Sequence, residues 1–165
     1  NTELIVGLLT GQLDASFLVG PVTDDRLTID KVCADPFVVM RAASAPVRSS
    51  IALADLADVP LVGHEACVCH EMVEEGMRDA GIRANYVFRS NDNAAVQAMV
   101  RAGLGVAVMP LLAIHADDPA IQVTPLEPAL PQRSLLIAVP RDRPAPTAVR
   151  FMERSLAAGR HMVVG

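Results

Sequence analysis

Hydrophobic and polar residues follow two periods along the chain, and these periods predict alternating helices and short strands. Apolar residues recur every three to four positions in the predicted helices 3–10, 52–59, 66–81, 91–99 and 145–159. Almost continuously apolar runs predict buried strands at 13–20, 60–65, 85–90, 105–110 and 134–140. Residues 27–42 add two β-rich runs separated by Asp35-Pro36, and residues 111–128 add a short helix and a strand. This alternation is typical of an α/β domain.

Residues 100–110, VRAGLGVAVMP, join a predicted helix directly to a predicted strand. Glycine is favoured where the backbone needs a positive φ or where two elements approach too closely for a Cβ. Gly103 and Gly105 therefore predict a very tight turn between this helix and this strand. A helix followed at once by a buried strand is half of a βαβ unit.

Two segments that are rich in proline or small residues predict that the chain crosses between two lobes. They are 43–50, ASAPVRSS, and 129–132, ALPQ. We predict a first lobe formed by 1–42 and 131–165 and a second lobe formed by 43–130, each with a central mixed sheet flanked by helices. In such folds, ligands bind beyond the carboxyl ends of the strands and between the lobes.

Composition narrows the classes of function. Of the 165 residues, 52% are hydrophobic, which is enough to fill a core. Aromatic residues make up only 3%, the net charge is −5, and the basic residues are spread along the chain, so no basic or aromatic surface for nucleic acid is expected. No phosphate-binding loop or dinucleotide fingerprint is found, and we predict no cofactor and no enzymatic activity.

The cysteines and the lengths of the apolar runs indicate the cellular compartment of the protein. Cys33, Cys67 and Cys69 are odd in number and lack the spacing of a disulfide framework, which favours a reducing environment. No signal segment opens the chain, and no apolar run approaches the length of a membrane span. We therefore predict a cytoplasmic location without membrane contact.

Five segments together resemble the effector-binding domain of LysR-type transcriptional regulators. In the order of that family they are LLTGQLDASFLVGP, DPFVVM, IALADLADVPLVG, VQAMVRAGLGVAVMP and RSLLIAVPRDRPAPTAVRFMERSL. The resemblance implies a type 2 periplasmic-binding-protein-like fold and a cytoplasmic transcription factor. It also implies that a small organic effector binds in the cleft between the lobes.

The resemblance also implies how the domain works within a larger protein. DNA would be contacted only through a helix-turn-helix domain that lies upstream and is absent from this chain. Effector domains of this family pair side by side, so we expect a homodimer or tetramer with contacts from the helices at 3–10 and 66–80. The family pattern places a strand–helix–strand unit, about 40 residues in total, before the first helix. We therefore expect the first lobe to be incomplete at its N-terminus. The strand at 13–20 would then need parallel neighbours.

Candidate effector contacts lie where predicted strands end and helices begin. Ser90 and Asn91 open one helix, whose free backbone N–H groups favour an anion. His64, Glu65, Ala66 and Cys67 open another helix, and Gly20-Pro21 would form the opposite wall of the cleft. These residues can also be explained without a ligand. Ser90 and Asn91 would then simply cap the helix, and His64 would be a solvated histidine in a loop.

Other features leave alternatives open. Cys67, Cys69 and His70 could centre a metal-dependent enzyme, although residues two apart in a helix point to different faces. The same cysteines could form a thiol redox sensor or be inert. Glu71, Glu74 and Glu75 are expected to form a solvated helix face. A solute-binding protein of the same fold is the further alternative to the regulator.

Overall fold

The computed structural model describes residues 1–65 and 67–162. The helices are α1 Thr2–Leu9, α2 Val68–Asp79, α3 Asn93–Arg101 and α4 Pro146–Met162, with short 3₁₀ helices at Leu53–Asp58 and Leu111–Ala113. The strands are β1 Ser16–Val19, β2 Leu27–Asp35, β3 Phe37–Ala42, β4 Ile51–Ala52, β5 Leu61–Gly63, β6 Tyr86–Arg89, β7 Ala107–Pro110, β8 Ile121–Glu127 and β9 Arg133–Pro140. Within the described residues, no helix has both the length and the apolar character that crossing a bilayer requires.

The chain folds into two compact units. Unit 1 contains Asn1–Asp35 and Arg133–Gly165, and unit 2 contains Pro36–Gln132. The first boundary therefore follows Asp35, whereas the sequence predicted it after residue 42. The difference arises because β3 pairs with β7 and with β8, so its backbone hydrogen bonds attach it to unit 2. The second boundary lies two residues later than predicted.

Unit 1 is built around β9, which lies between β1 and β2. Both neighbours run antiparallel to β9. β1 lies at the edge of this three-stranded sheet, and the expectation that it needs parallel neighbours stays a prediction. Alternate residues of β9 face opposite sides of the sheet. Leu136 and Ala138 pack with residues of α1, and Ile137 and Val139 pack with residues of α4.

A buried ion pair fixes the two chain segments of unit 1 where they leave the sheet. Asp35, which is fully buried, accepts hydrogen bonds from Arg133 Nε at 2.7 Å and from Arg133 Nη2 at 2.6 Å. The two residues are also partners in the β2–β9 register. Contact of two guanidinium nitrogens with this carboxylate compensates for the burial of both charges.

Unit 2 has a four-stranded sheet in the order β4-β8-β3-β7 and a parallel pair, β5 and β6. A parallel bridge between Leu61 and Val106 connects this pair to the segment that enters β7. The two faces of β3 support separate cores, since Phe37 and Val39 pack in one and Val38 and Met40 in the other. The second core includes the apolar face of α3.

The two glycines between α3 and β7 serve the two purposes that the sequence suggested. Gly103 has a φ of +79°, which side chains disfavour. A Cβ on Gly105 would collide with the backbone carbonyl of Pro60, so this glycine permits the close approach of two chain segments. The turn places the strand β7 directly after α3.

Candidate functional site

Two parallel strands of unit 2 end side by side, and the predicted site residues follow directly after them. β5 ends at Gly63 and β6 ends at Arg89, and these two residues are partners in the parallel register. The chain then enters α2 after β5 and α3 after β6. Backbone N–H groups at the start of a helix have no intrahelical partner and attract anions. The fold thus brings segments 64–67 and 90–92 to one edge of the strand pair.

Hydrogen bonds connect these two segments directly. Asn91 Nδ2 donates to Glu65 Oε2 at 2.7 Å, and the Ser90 amide donates to the carbonyl oxygen of the last residue of β5 at 3.0 Å. Glu65 and Asn91 are exposed, whereas His64 and Ser90 are half-buried. Four of the predicted residues therefore lie together, and their role in binding an effector stays a prediction.

The start of α3 is capped by its own loop. Asp92 Oδ1 accepts a hydrogen bond from the Ala94 amide at 2.8 Å, and Ser90 Oγ accepts one from the Asp92 amide at 3.1 Å. The cap occupies one of the amides that a bound anion would otherwise use. The carboxylate of Asp92 also places a negative charge at this terminus, so an anion binding here would need further favourable contacts.

The start of α2 is capped by a cysteine. Cys67 Sγ accepts a hydrogen bond from the His70 amide at 3.4 Å, so the half-buried thiol takes the place that a serine or aspartate more often fills. Ala66, another predicted contact, lies outside the described residues.

The metal hypothesis gains no support from this arrangement. The imidazole of His70 points to Glu74, with His70 Nε2 and Glu74 Oε1 separated by 2.8 Å. Across 1–65 and 67–162, no three or more His, Cys, Asp or Glu side chains are grouped as a metal would require.

Arg89, which sequence reasoning did not select, contacts several groups beside the predicted site. Its Nη2 lies 2.8 Å from Glu74 Oε1, and its guanidinium carbon lies 4.1 Å from the centre of the Tyr86 ring. Its Nη1 contacts His70 Nε2 and donates to the His64 carbonyl oxygen at 3.4 Å. Arg89 thereby ties α2 and the loop after β5 to the end of β6.

The surroundings of Arg89 shift the pKa values of two neighbouring residues, Glu74 and Tyr86. The hydrogen bond from Arg89 holds the pKa of the Glu74 carboxyl below its ordinary value. Burial raises the pKa of Tyr86 to about 12, and the charge of Glu74 adds to this effect. Glu71 and Glu75 are exposed as expected, but the expectation of a solvated Glu74 is wrong, because this side chain is half-buried and paired.

The sequence held a signal for this cluster. Glu74 follows His70 by four residues, the spacing that brings two side chains together on one helix face. Arg89 is a single charged residue that closes an apolar strand.

The predicted Gly20-Pro21 turn belongs to unit 1. It follows β1, has a cis peptide bond, and is held by a hydrogen bond of 2.9 Å from the Gly20 amide to the Ser134 carbonyl oxygen. Gly20 is buried and Pro21 is exposed. A role for this turn in effector binding stays a prediction.

A family model described as the LysR substrate binding domain matches residues 1–159. The chain belongs to this family. LysR domains of solved structure show the same arrangement of helices and mixed sheets, so the expected type 2 periplasmic-binding-protein-like α/β fold is confirmed.

Relatives of this LysR domain include regulators of transcription. The uncharacterized HTH-type transcriptional regulator YcgK of Bacillus subtilis (strain 168) is 27% identical over 168 residues, covering 88% of this chain and 51% of YcgK. The chain thus spans about half the length of this curated relative.

Two solved structures are similar to this chain. The reduced form of the OxyR regulatory domain from Pseudomonas aeruginosa is 25% identical with a TM-score of 0.79, covering 96% of this chain and 79% of that one. The CcmR regulatory domain of Synechocystis in complex with 2-PG is 14% identical with a TM-score of 0.82, covering 98% and 81%. The CcmR likeness shows the fold alone.

Proposed function

We propose that this LysR domain senses a small, anionic organic effector and thereby controls DNA binding by a helix-turn-helix segment outside this chain. The observation that carries the proposal is the meeting of two parallel strand ends and two helix starts at segments 64–67 and 90–92. Ligands of open α/β sheets bind at such strand ends. The domain would act by binding and not by catalysis, in the cytoplasm, where its DNA target lies.

The side chains at this edge suggest how the effector is held. Ser90 offers a hydroxyl, Asn91 an amide and His64 an imidazole, while the starts of α2 and α3 offer backbone amides. The Asn91–Glu65 hydrogen bond of 2.7 Å joins two exposed side chains, so it can open at little cost in free energy. An effector that takes over Asn91 would link the two segments in place of Glu65.

A thermal-shift screen of metabolite acids tests the proposal. A ligand that binds the folded chain raises its melting temperature by mass action. We expect at least one acid to do so, and we expect Ser90→Ala and His64→Ala each to reduce the shift. The matched control is Ser155→Ala in unit 1, whose hydroxyl bonds the Phe151 carbonyl oxygen at 2.9 Å. A shift that survives both site variants would show that the effector binds elsewhere.

We further propose that the domain pairs with copies of itself, as a dimer or tetramer. Two helices offer exposed apolar side chains for this contact: α1 exposes Leu4 by 39% and Val6 by 52%, and α2 exposes Val68 by 46%. Sedimentation should show self-association at micromolar concentration that weakens in Val6→Asp. A monomer at high concentration would contradict the proposal.

A further inference from the structure

In unit 2, the face of β3 that packs in an apolar core becomes polar at its end. Side chains two apart on a strand share a face, so Arg41 continues the row begun by Val39, a member of an apolar core. The register places Thr124 opposite Val39 and Gln122 opposite Arg41 on β8. Arg41 is 6% exposed and Thr124 is 2% exposed. An arginine therefore occupies a position where the pattern of the strand calls for an apolar residue.

The guanidinium of Arg41 is bonded only to neutral groups. Its Nη1 donates to the Pro46 carbonyl oxygen at 3.0 Å, and its Nη2 donates to Gln122 Oε1 at 3.3 Å and to Thr124 Oγ1 at 3.2 Å. Its Nε is buried and has no hydrogen-bond partner in 1–65 and 67–162. No carboxylate of the described segments forms an ion pair with it.

A buried charge without a counter-ion is unfavourable, and a buried N–H without an acceptor adds to the penalty. Native proteins satisfy nearly all such groups, so an exception needs an explanation. An acceptor that carries one negative charge and lies against the guanidinium would compensate the charge of Arg41.

A cavity of about 470 Å³ beside Arg41 could hold such an acceptor. Its walls include the apolar residues Val39, Ile51, Leu56, Val59 and Val106. This volume lies in the range of small-molecule sites, about 300–1,000 Å³.

The opening of the cavity carries its own charges. Its lining includes the exposed residues Arg48, Asp55 and Asp58. Arg48 and Asp55 form an ion pair at 3.3 Å, which leaves Asp58 as a negative charge near the entrance. A ligand with several negative charges would be repelled there, whereas a monoanion would be repelled less.

We propose that this cavity binds a monocarboxylate with a short apolar body, whose carboxylate pairs with the guanidinium of Arg41, a residue of the cavity lining. The apolar body would lie against the valine, isoleucine and leucine side chains of the walls. None of these residues belongs to segments 64–67 or 90–92, so this inference stands or falls independently of the proposed effector site.

A purely structural role for Arg41 makes a different prediction. Arg41 bonds the carbonyl oxygen of Pro46, and Gln122 Nε2 donates to the carbonyl oxygens of Ala43 at 2.9 Å and Ala45 at 2.7 Å. These bonds fasten the loop after β3 whether or not a ligand binds. A test must therefore leave Arg41 and its bonds in place while it closes the cavity.

The test is a titration of the whole 165-residue chain with hexanoate, in which NMR monitors the chemical shifts of the backbone amides. We expect saturable shifts in residues 41–59. Hexanamide, which has the same body without the charge, should bind at least about tenfold more weakly, as should inorganic phosphate. Ala45 lines the cavity, so Ala45→Leu should reduce hexanoate affinity by at least about tenfold while the melting temperature stays within a few degrees.

Ala43→Leu is the matched control, because Ala43 lies in the same loop but is exposed and is not part of the cavity lining. Its hexanoate affinity should equal that of the unaltered chain. The proposal is overturned if hexanoate gives no saturable shift, or if hexanamide or phosphate binds as well. It is also overturned if Ala45→Leu binds like Ala43→Leu, or if the shifts are confined to the loops around His64 and Ser90.

Discussion

Unit 2 holds two arginines whose surroundings are opposite. Arg89 has a side chain that is 38% exposed, yet it is paired with Glu74 at 2.8 Å and lies over the ring of Tyr86. Arg41 is 6% exposed, yet its hydrogen bonds go only to neutral oxygens. The arginine that water could stabilise has a carboxylate partner, and the arginine that is largely removed from water has none.

The comparison separates two ways in which a domain can attract an anion. At segments 64–67 and 90–92 the favourable groups are helix starts and polar side chains, while Glu65 and Asp92 oppose an anion. At the cavity beside Arg41 a buried positive charge lacks compensation, and the opposing charge of Asp58 lies at the entrance. At the first site, the choice of anion therefore depends on which existing hydrogen bonds the anion can replace. At the second site, it depends on the single positive charge of Arg41.

The largest expected effect concerns stability. Arg41→Ala removes three hydrogen bonds, one of them to the buried Thr124 hydroxyl, and enlarges the cavity, but it also removes an uncompensated buried charge. We expect the free energy of unfolding to fall by about 2 kcal/mol. Arg89→Ala removes a partly exposed ion pair, and we expect a loss of about 1 kcal/mol or less. Urea unfolding of both variants measures the difference. Equal losses would show that burial does not distinguish the two arginines.

An intermediate effect is expected for anion binding at the edge of β5 and β6. Glu65→Gln removes a negative charge but keeps an acceptor for Asn91. A charge about 4 Å away contributes about 1 kcal/mol in a watery environment, so an acid found in the thermal-shift screen should bind about fivefold more tightly. Isothermal titration measures this change. Unchanged affinity would place the anion away from Glu65.

A smaller effect is expected from Glu74, whose pKa is held below its ordinary value of 4.5 in the folded chain. A carboxyl with a lowered pKa stabilises the fold above its unfolded pKa, and this stabilisation is lost as the pH falls through the folded value. Glu74→Gln should therefore lower the free energy of unfolding by less than about 1 kcal/mol at neutral pH and by less still in acid.

The control for this experiment is Glu75→Gln, which alters an exposed carboxyl of the same helix. It should leave the free energy of unfolding unchanged at neutral pH. If the effect of Glu74→Gln were the same at neutral pH and below 4.5, the ion pair with Arg89 would not be its source.

Hydrophobic periods were sufficient to predict most helices and strands, because each period reflects which side of an element is buried. They were not sufficient to assign β3 to a unit. That assignment depends on the pairing of Phe37 with Pro110 and of Arg41 with Gln122, contacts between residues far apart in sequence.

The candidate site was predictable only in part. Segments 64–67 and 90–92 could be placed together, because parallel strands end at one edge of a sheet. Arg89 and Arg41 were missed, since a charged residue near the end of an apolar strand is expected to reach solvent. Which of them is buried depends on the loops and helices packed around each strand end, and that packing is not encoded in local spacing.

The smallest expected effect is on the titration of Tyr86. The chain has one tyrosine and no tryptophan, so near-ultraviolet absorbance reports this residue alone. We expect its folded pKa at about 12, above the ordinary 10.0, mainly because the ring is buried. A raised pKa means that this group stabilises the fold below the unfolded pKa and that the contribution is lost as the pH rises through the folded value. Glu74→Gln should lower the pKa of Tyr86 by a fraction of a unit, since the negative charge of Glu74 helps to raise it, whereas Glu75→Gln should not change it. A native titration at the value found in urea would contradict the burial of the Tyr86 ring.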